Sequence, residues 1–169
     1  TFNLALPTVF ALSAVGLVLI GQILVPRFRW LPVLALLLPN PSFFYHLLLG
    51  EGMQTVLWES TRTIANTINE YPFFSFLWGD VHPHVMSIFN QVFLLALLAY
   101  AYTAWGRLRD GGRWILAGLA ALSLGSMPGI NTWDVLIYAP ITVLVGILVW
   151  RRYRETPRDW SAARFLLAV

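Results

Sequence analysis

Runs of apolar residues, each about as long as a bilayer is thick, recur along this chain of 169 residues. A helix needs about 20 such residues to cross the hydrocarbon core. The runs predict five spans, at approximately residues 5–25, 31–49, 86–105, 114–130 and 135–150. An outer loop covers residues 51–85, and another apolar run starts near residue 165. We therefore expect an all-α, polytopic transmembrane bundle that is an interior fragment of a larger membrane protein.

Composition supports a membrane protein. Only 11% of the residues are charged and 58% are hydrophobic, whereas a soluble domain carries about 25% charged residues. The chain contains no cysteine, which excludes disulfides, thiolate metal sites and cysteine nucleophiles.

The second predicted span is interrupted by prolines. Pro32 and the sequence Pro39-Asn40-Pro41 each remove backbone donors from a helix. This span is therefore expected to be kinked or divided into two half-helices. A broken helix is stable at membrane depth only where protein or a water-filled cavity covers the break.

The arginines predict the orientation of the spans. Ten of the eleven follow the first, third and fifth spans, and only Arg62 lies elsewhere. The positive-inside rule places those loops in the cytoplasm and the acidic and histidine-containing loops outside, in a protein of the plasma membrane. The basic charge is therefore a topology signal, and no nucleic-acid partner is expected.

Asp80, His82 and His84 are the candidate metal ligands. In an extended segment alternate residues share a face, so one carboxylate and two imidazoles would converge on a divalent ion such as Mn, Mg or Zn. In a helical segment only Asp80 and His84 would be neighbours. Alternatively, Pro83 opens the third span and Asp80 or His82 caps it.

Glu70 and Arg62 lie in the same outer loop. A glutamate held among aromatic residues would have a raised pKa and would suit acid or base catalysis. It would equally suit a structural ion pair with Arg62. The alternative role of Arg62 is to bind an anionic phosphate.

Asn131 and Asp134 precede the fifth span with the spacing of a capping-box variant. The functional alternative is that both residues add ligands to the same outer site.

Aromatic residues surround the candidate ligands. Trp58 to Arg62 are expected to start an amphipathic surface helix. The aromatic residues before Asp80 suit an interfacial belt, helix packing, a re-entrant segment or a groove for a lipid tail; they are Phe73, Phe74, Phe76 and Trp78.

The segment from Asn69 to Met86, NEYPFFSFLWGDVHPHVM, resembles the signature of the YYY family of large polytopic membrane proteins. The segments Trp58 to Arg62 and Asn131 to Asp134 stand before and after it in the order typical of that family. The YYY family is in turn distantly similar to the GT-C glycosyltransferases, which use lipid-phosphate-linked sugars at the outer membrane face.

The resemblance implies a GT-C-like fold, with membrane lipid and a polyprenyl-phosphate sugar as partners. GT-C enzymes carry a key acidic residue in the first outer loop, which we expect to lie before Thr1. Asp80 and Glu70 are then candidate catalytic residues of the second outer loop, with roles in metal or phosphate handling. The candidate substrate- and phosphate-binding residues are Arg62, Asn131 and Asp134.

The expected function is that of a GT-C-like membrane glycosyltransferase. The alternatives are a transporter or channel component with an outward-facing acidic and histidine site, and a purely structural role. A transporter should place ionisable groups near the middle of its spans. Here they stand at the span ends, which favours an enzyme at the outer surface.

Overall fold

The computed structural model describes residues 2–154, and this part of the chain is helical without any strand. Eight α-helices follow one another: α1 Phe2–Leu24, α2 Leu34–Leu37, α3 Pro41–Leu48, α4 Met53–Glu59, α5 Pro72–Trp78, α6 Pro83–Ala104, α7 Asp110–Ile130 and α8 Trp133–Tyr153. Short 3₁₀ segments occupy Pro26–Phe28, Leu31–Val33 and Trp105–Arg107. The apolar run near residue 165 lies outside the described residues.

Within residues 2–154, four helices are long and apolar enough to cross a membrane: Leu4–Leu24, Pro83–Arg107, Asp110–Ile130 and Trp133–Tyr153. The predicted second span corresponds to two helical pieces, Leu31–Leu37 and Pro41–Leu48, bent by 60° at the break between them. The prediction of an all-α polytopic bundle is confirmed.

The break contains Pro39, Asn40 and Pro41. The side chain of Asn40 forms two hydrogen bonds with backbone groups. The Asn40 side chain accepts a hydrogen bond from the Phe43 backbone N–H at 3.0 Å and so caps α3. Its amide donates to the carbonyl oxygen of Ser60 at 2.6 Å. The interrupted helix is therefore covered by protein, and the break is tied to the loop that follows α4.

Helices α1 and α6 run parallel. Gly16 of α1 lies against Val92 of α6, and further along both helices Leu24 shares an apolar cavity with Tyr102. Two parallel spans can be joined only by a chain that crosses the bundle in between. Residues 25–82, including the bent pair, therefore return from one end of the bundle to the other.

Arginines gather where α1, α6 and α8 end and α7 begins. The Arg152 guanidinium lies 4.7 Å from the centre of the Tyr102 ring, and Arg113 Nε donates to the carbonyl oxygen of Trp105 at 3.1 Å. We call this the arginine end. The opposite end, where α6 and α8 begin, is called the acidic end.

Helix α6 is central, because α1, α7 and α8 all pack against it. Asn90 of α6 exchanges hydrogen bonds with Ser123 of α7, including one of 2.8 Å from Ser123 Oγ to Asn90 Oδ1. In a membrane, lipid tails compete for apolar contacts, so close packing and such polar contacts hold helices together. The apolar part of this core comprises Leu94, Leu98, Ala101, Trp105, Leu116, Ala117, Ala120, Met127 and Val149.

The sequence prediction of a helix starting at Trp58 is wrong. Helix α4 instead ends at Glu59, and Ser60 and Thr61 are buried just beyond it. The buried residues Val56 and Leu57 fix α4 against α3 and α5, so the helix forms where its apolar face has a partner.

Gly21 allows the chain to turn back tightly after α1, and we expect Gly21→Ala to destabilise the protein. A Cβ atom at this position would stand 2.1 Å from the backbone oxygen of Arg29, so the turn would have to move. The expected cost is about 1–3 kcal/mol, measured as a lower thermal unfolding midpoint in lipid nanodiscs.

The control for this substitution is Gly118→Ala in α7, where an added Cβ meets nothing within 4 Å. Alanine is the better helix former, so Gly118→Ala should leave the midpoint unchanged or raise it. Equal midpoints for the two variants would contradict the close approach at Gly21.

Candidate metal centre

A tight connection between α5 and α6 positions Asp80 and His82. Helix α5 ends at Gly79, which adopts a left-handed conformation with φ of 81° that favours glycine. The Asp80 backbone N–H donates to the carbonyl oxygen of Ser75 at 2.9 Å. Pro83 then opens α6 at its first position, as in the alternative interpretation of this segment, because its missing N–H needs no partner there. His82 occupies the N-cap position, but its side chain makes no capping bond.

Glu70 reaches the same place from the loop between α4 and α5. The Asn69 backbone N–H donates to the Thr61 carbonyl oxygen at 2.6 Å. On the other side of Glu70, the Tyr71 hydroxyl lies 2.8 Å from Ser60 Oγ, and burial raises the pKa of Tyr71. The loop is thus fastened to the end of α4 on both sides of Glu70.

Glu70, Asp80 and His84 come together at the acidic end. One ligand atom from each lies within 4.8 Å of the other two. Two atoms that bind one zinc ion at about 2.0–2.2 Å lie at most about 4.4 Å apart, so small side-chain shifts would bring all three onto one ion. Sequence analysis selected Asp80, His82 and His84; the structure adds Glu70 to Asp80 and His84.

His82 supports this cluster from its edge. Its Nδ1 contacts Asp80 Oδ1, and its ring stacks on the His84 ring with centres 5.7 Å apart. A side chain that contacts a ligand carboxylate fixes the orientation of that carboxylate. His82 is therefore placed to position Asp80, and its side chain is largely exposed.

The pKa values of the two carboxyls in the cluster are shifted in opposite directions. Burial raises the pKa of Glu70, and the hydrogen bond and charge of Asp80 raise it further. Burial also acts to raise the pKa of Asp80, but hydrogen bonds with His82 and Glu70 outweigh it, and that pKa is lowered. The contact with Asp80 raises the pKa of His82. The opposite shifts make Glu70 the more readily protonated of the two carboxyls and Asp80 the more readily ionised.

One oxygen of the cluster lacks a donor. Glu70 Oε2 is inaccessible to solvent and forms no hydrogen bond within the described part of the chain. His84 Nε2 is 3.1 Å away, within ion-pair distance, but forms no hydrogen bond with this oxygen. A buried polar atom without a partner is unusual, and a cation between these groups would supply one.

The cluster borders a cavity of about 580 Å³, lined by Ile68, Asn69, Glu70, His82 and His84. Carboxylate and imidazole ligands in this ratio suit Zn or Mn. Three protein ligands leave coordination positions for water or substrate, as in catalytic metal sites. The residues present therefore fit a divalent ion that is accessible from the cavity.

Arg62 does not form the predicted alternative ion pair with Glu70 in the described structure. Its guanidinium carbon lies 3.4 Å from the centre of the Trp58 ring, and its NH1 donates to the Trp58 carbonyl oxygen at 3.0 Å and to Thr61 Oγ1 at 2.6 Å. The side chain thus covers the end of α4, and its phosphate-binding role stays a prediction.

Asn131 and Asp134 belong to a separate network. Asn131 Nδ2 donates to Asp134 Oδ1 at 2.7 Å, and Gln91 Nε2 donates to Asp134 Oδ2 at 2.9 Å. The Asn131 side chain makes no capping bond to the backbone of α8, where Thr132 holds the N-cap position. The buried Asp134 therefore joins α8 to α6 and is not among the three groups at the metal centre.

Ser87 and Gln91 were missed by sequence analysis. Ser87 Oγ donates to the His84 carbonyl oxygen at 2.9 Å, and Gln91 Nε2 donates to Ser87 Oγ at 2.8 Å. Their positions three and seven residues after His84 place all three on one helix face. This spacing was the signal in the sequence that could have identified them. The side chains of Ser87 and Gln91 connect the metal centre to Asp134 over about 10 Å of helix.

A family model described as uncharacterized membrane protein (DUF2298) matches residues 1–168. No curated protein and no solved structure matches the chain.

We expect Glu70→Gln and His84→Ala to weaken Mn²⁺ or Zn²⁺ binding more than His82→Ala does. Each of the first two removes a ligand, whereas His82 contacts the ligand Asp80 and its removal should cost roughly tenfold in affinity. The measurement is isothermal titration calorimetry of the full-length protein in nanodiscs.

The matched control for these variants is Glu51→Gln. Glu51 Oε2 pairs with His46 Nδ1 at 3.0 Å and belongs to a different glutamate–histidine pair. Its substitution should leave metal affinity unchanged. If His82→Ala lost as much metal affinity as His84→Ala, the ligands would be Asp80, His82 and His84, as expected from the sequence. Equal metal affinity in all variants would contradict the site.

We expect Asp134→Ala to lower stability without lowering metal affinity. Gln91 and Asn131 would lose their acceptor inside the bundle, at a cost of about 1–3 kcal/mol. Thermal unfolding and calorimetry on the same sample test the two parts. Asp110→Ala, which removes an exposed partner of Arg113, should cost less than about 1 kcal/mol. A loss of metal binding in Asp134→Ala would place Asp134 in the metal centre.

Proposed function

The chain belongs to the DUF2298 family of uncharacterised membrane proteins, and we propose that it acts as a GT-C-like membrane glycosyltransferase. Its donor would be a polyprenyl-phosphate-linked sugar. The observation that carries the proposal is the group of Glu70, Asp80 and His84 at the border of a cavity, at one end of a bundle of membrane-spanning helices.

The reaction would break the bond between the sugar C1 and the phosphate oxygen and form a bond between C1 and the acceptor oxygen. The acceptor proton must pass to a base, and the charge that grows on the departing phosphate must be stabilised. A divalent ion held by the cluster would neutralise that phosphate. Asp80, whose pKa is lowered, suits cation binding, and Glu70, whose pKa is raised, suits proton exchange.

The arrangement of charges supports an enzyme at the membrane surface over a transporter. Within the described spans, ionisable residues such as Asp110, Arg113 and Asp134 lie in the first turns of helices. A transporter pathway would place such groups near the bilayer midplane. The positive-inside rule would put the arginine end in the cytoplasm, and the cavity would then face outward from the plasma membrane.

We expect Asp80→Asn to reduce sugar transfer by about 100-fold or more, since one charged group that stabilises the leaving phosphate is lost. The measurement follows radiolabelled polyprenyl-phosphate sugars with the full-length protein in proteoliposomes, with and without a chelator. Glu51→Gln, at equal expression and unfolding temperature, should transfer sugar as the wild type does.

Each outcome of this assay has a consequence. Transfer that is lost in Asp80→Asn but insensitive to chelator would retain the enzyme and remove the metal. If a well-folded wild type consumes no polyprenyl-linked sugar, the glycosyltransferase proposal fails. Ion flux through the same proteoliposomes would then support the transporter alternative.

A further inference from the structure

We propose that the acidic end carries a second binding site that holds a pyranose ring. The site is a cavity of about 370 Å³ between α4 and the end of α5, which we call the tryptophan pocket; it is lined by Gln54, Thr55, Trp58, Glu59 and Trp78. The inference rests on the proposed function, because a glycosyltransferase must hold a sugar while its glycosidic bond is exchanged.

Helix α4 presents the polar half of this pocket. Gln54 and Trp58 are separated by four residues, as are Thr55 and Glu59, so all four share one side of the helix. The opposite side is buried against α3 and α5. Helical periodicity therefore turns a mixed aromatic and polar surface toward the cavity.

The two tryptophans are held in place while they remain open to solvent. Their ring centres are 6.1 Å apart, and their exposed fractions are 44% for Trp58 and 46% for Trp78. Arg62 covers Trp58, and Phe74 stacks on Trp78 with ring centres 5.6 Å apart. A ring that is fixed before binding loses little conformational entropy when a ligand arrives.

The aromatic residues of α5 do not form the open lipid groove considered from the sequence. Phe74 is buried, Phe73 packs edge-on against Phe43, and Phe76 packs edge-on against Phe10. Among the aromatic residues of α5, Trp78 alone is largely exposed, and it faces polar neighbours. That favours a ligand with both apolar and hydroxyl surfaces over a lipid tail.

The polar side chains of the pocket are able to form hydrogen bonds with a ligand; they are Gln54, Thr55 and Glu59. None of the three forms a side-chain hydrogen bond or ion pair with another described residue. A pyranose presents C–H groups on one face, which suit the negative face of an aromatic ring. Its hydroxyl groups suit amide, hydroxyl and carboxylate partners, and such a combination is typical of small-molecule sites.

A short stretch of chain connects the tryptophan pocket to the metal centre. Trp78 and Asp80 are separated only by Gly79, so their Cα atoms lie at most about 7 Å apart. A sugar ring at Trp78 would therefore be close to a phosphate bound by a cation at Asp80. In a sugar phosphate ester the phosphate is bonded directly to the sugar ring, so the two groups of one donor molecule would fit these two neighbouring positions.

The test is saturation-transfer NMR of methyl pyranosides with the full-length protein in nanodiscs, with chelator present and no donor added. Wild type should show saturable binding. Trp78→Ala should weaken it about tenfold, the loss expected for one aromatic contact, and Trp78→Phe should retain most of it. Gln54→Ala should weaken binding at an unchanged unfolding temperature, because Gln54 is exposed.

The matched control is Trp133→Ala. Trp133 is 73% exposed at the start of α8, at the same end of the bundle but outside the pocket. Its removal should leave sugar binding unchanged. An equal loss in Trp133→Ala and Trp78→Ala would make both residues interfacial anchors and overturn the pocket, as would the absence of saturable binding by wild type.

Transfer kinetics distinguish failure of the pocket from failure of the proposed function. Saturable, Trp78-dependent binding without any transfer would support the pocket and contradict the glycosyltransferase. Transfer by Trp78→Ala with unchanged KM for both substrates would overturn the pocket alone. A raised KM for the polyprenyl donor would assign the pocket to the donor sugar, and a raised KM for the acceptor would assign it to the acceptor.

Discussion

The parallel packing of α1 and α6 is the constraint on which the rest of the structure depends. Gly16 against Val92 brings the two helices together, and everything between them must return across the bundle. That return contains a bent span and two short helices instead of one regular helix. Irregular backbone at membrane depth must be covered by other protein groups, and here Asn40 meets the requirement through Ser60.

The irregular segment of residues 25–82 also forms the site. A straight span would place one loop at the acidic end, whereas this segment places the ends of α4 and α5 there, as well as the loop between them. Glu70 therefore meets Asp80 and His84, although 10 and 14 residues separate them in sequence. The differing surroundings of the two carboxyls give one a raised and the other a lowered pKa, which suits a centre that handles both cations and protons.

The sequence was most informative where a local pattern decides the structure. Apolar runs located the spans, and Pro39 and Pro41 located the break. The span prediction began at residue 86, whereas α6 begins at Pro83, as only the alternative capping interpretation had it. Metal ligands were only partly predictable, because alternation in an extended segment groups Asp80 with His82 and His84 and gives no information on Glu70. The contact between Asp134 and Gln91 depends on how α6 packs against α8, and such a long-range contact leaves no trace in spacing along the chain.

Asn40 also links the membrane part of the protein to the centre at its end. Its amide is bonded to the Ser60 carbonyl oxygen, the Ser60 hydroxyl to the Tyr71 hydroxyl, and Tyr71 is the neighbour of Glu70. These contacts form a short mechanical linkage from the bend of a lipid-embedded helix pair to one carboxyl of the centre. A change in the bend between α2 and α3 would therefore be transmitted towards Glu70, so the geometry of the two carboxyls is coupled to the shape of the broken helix pair.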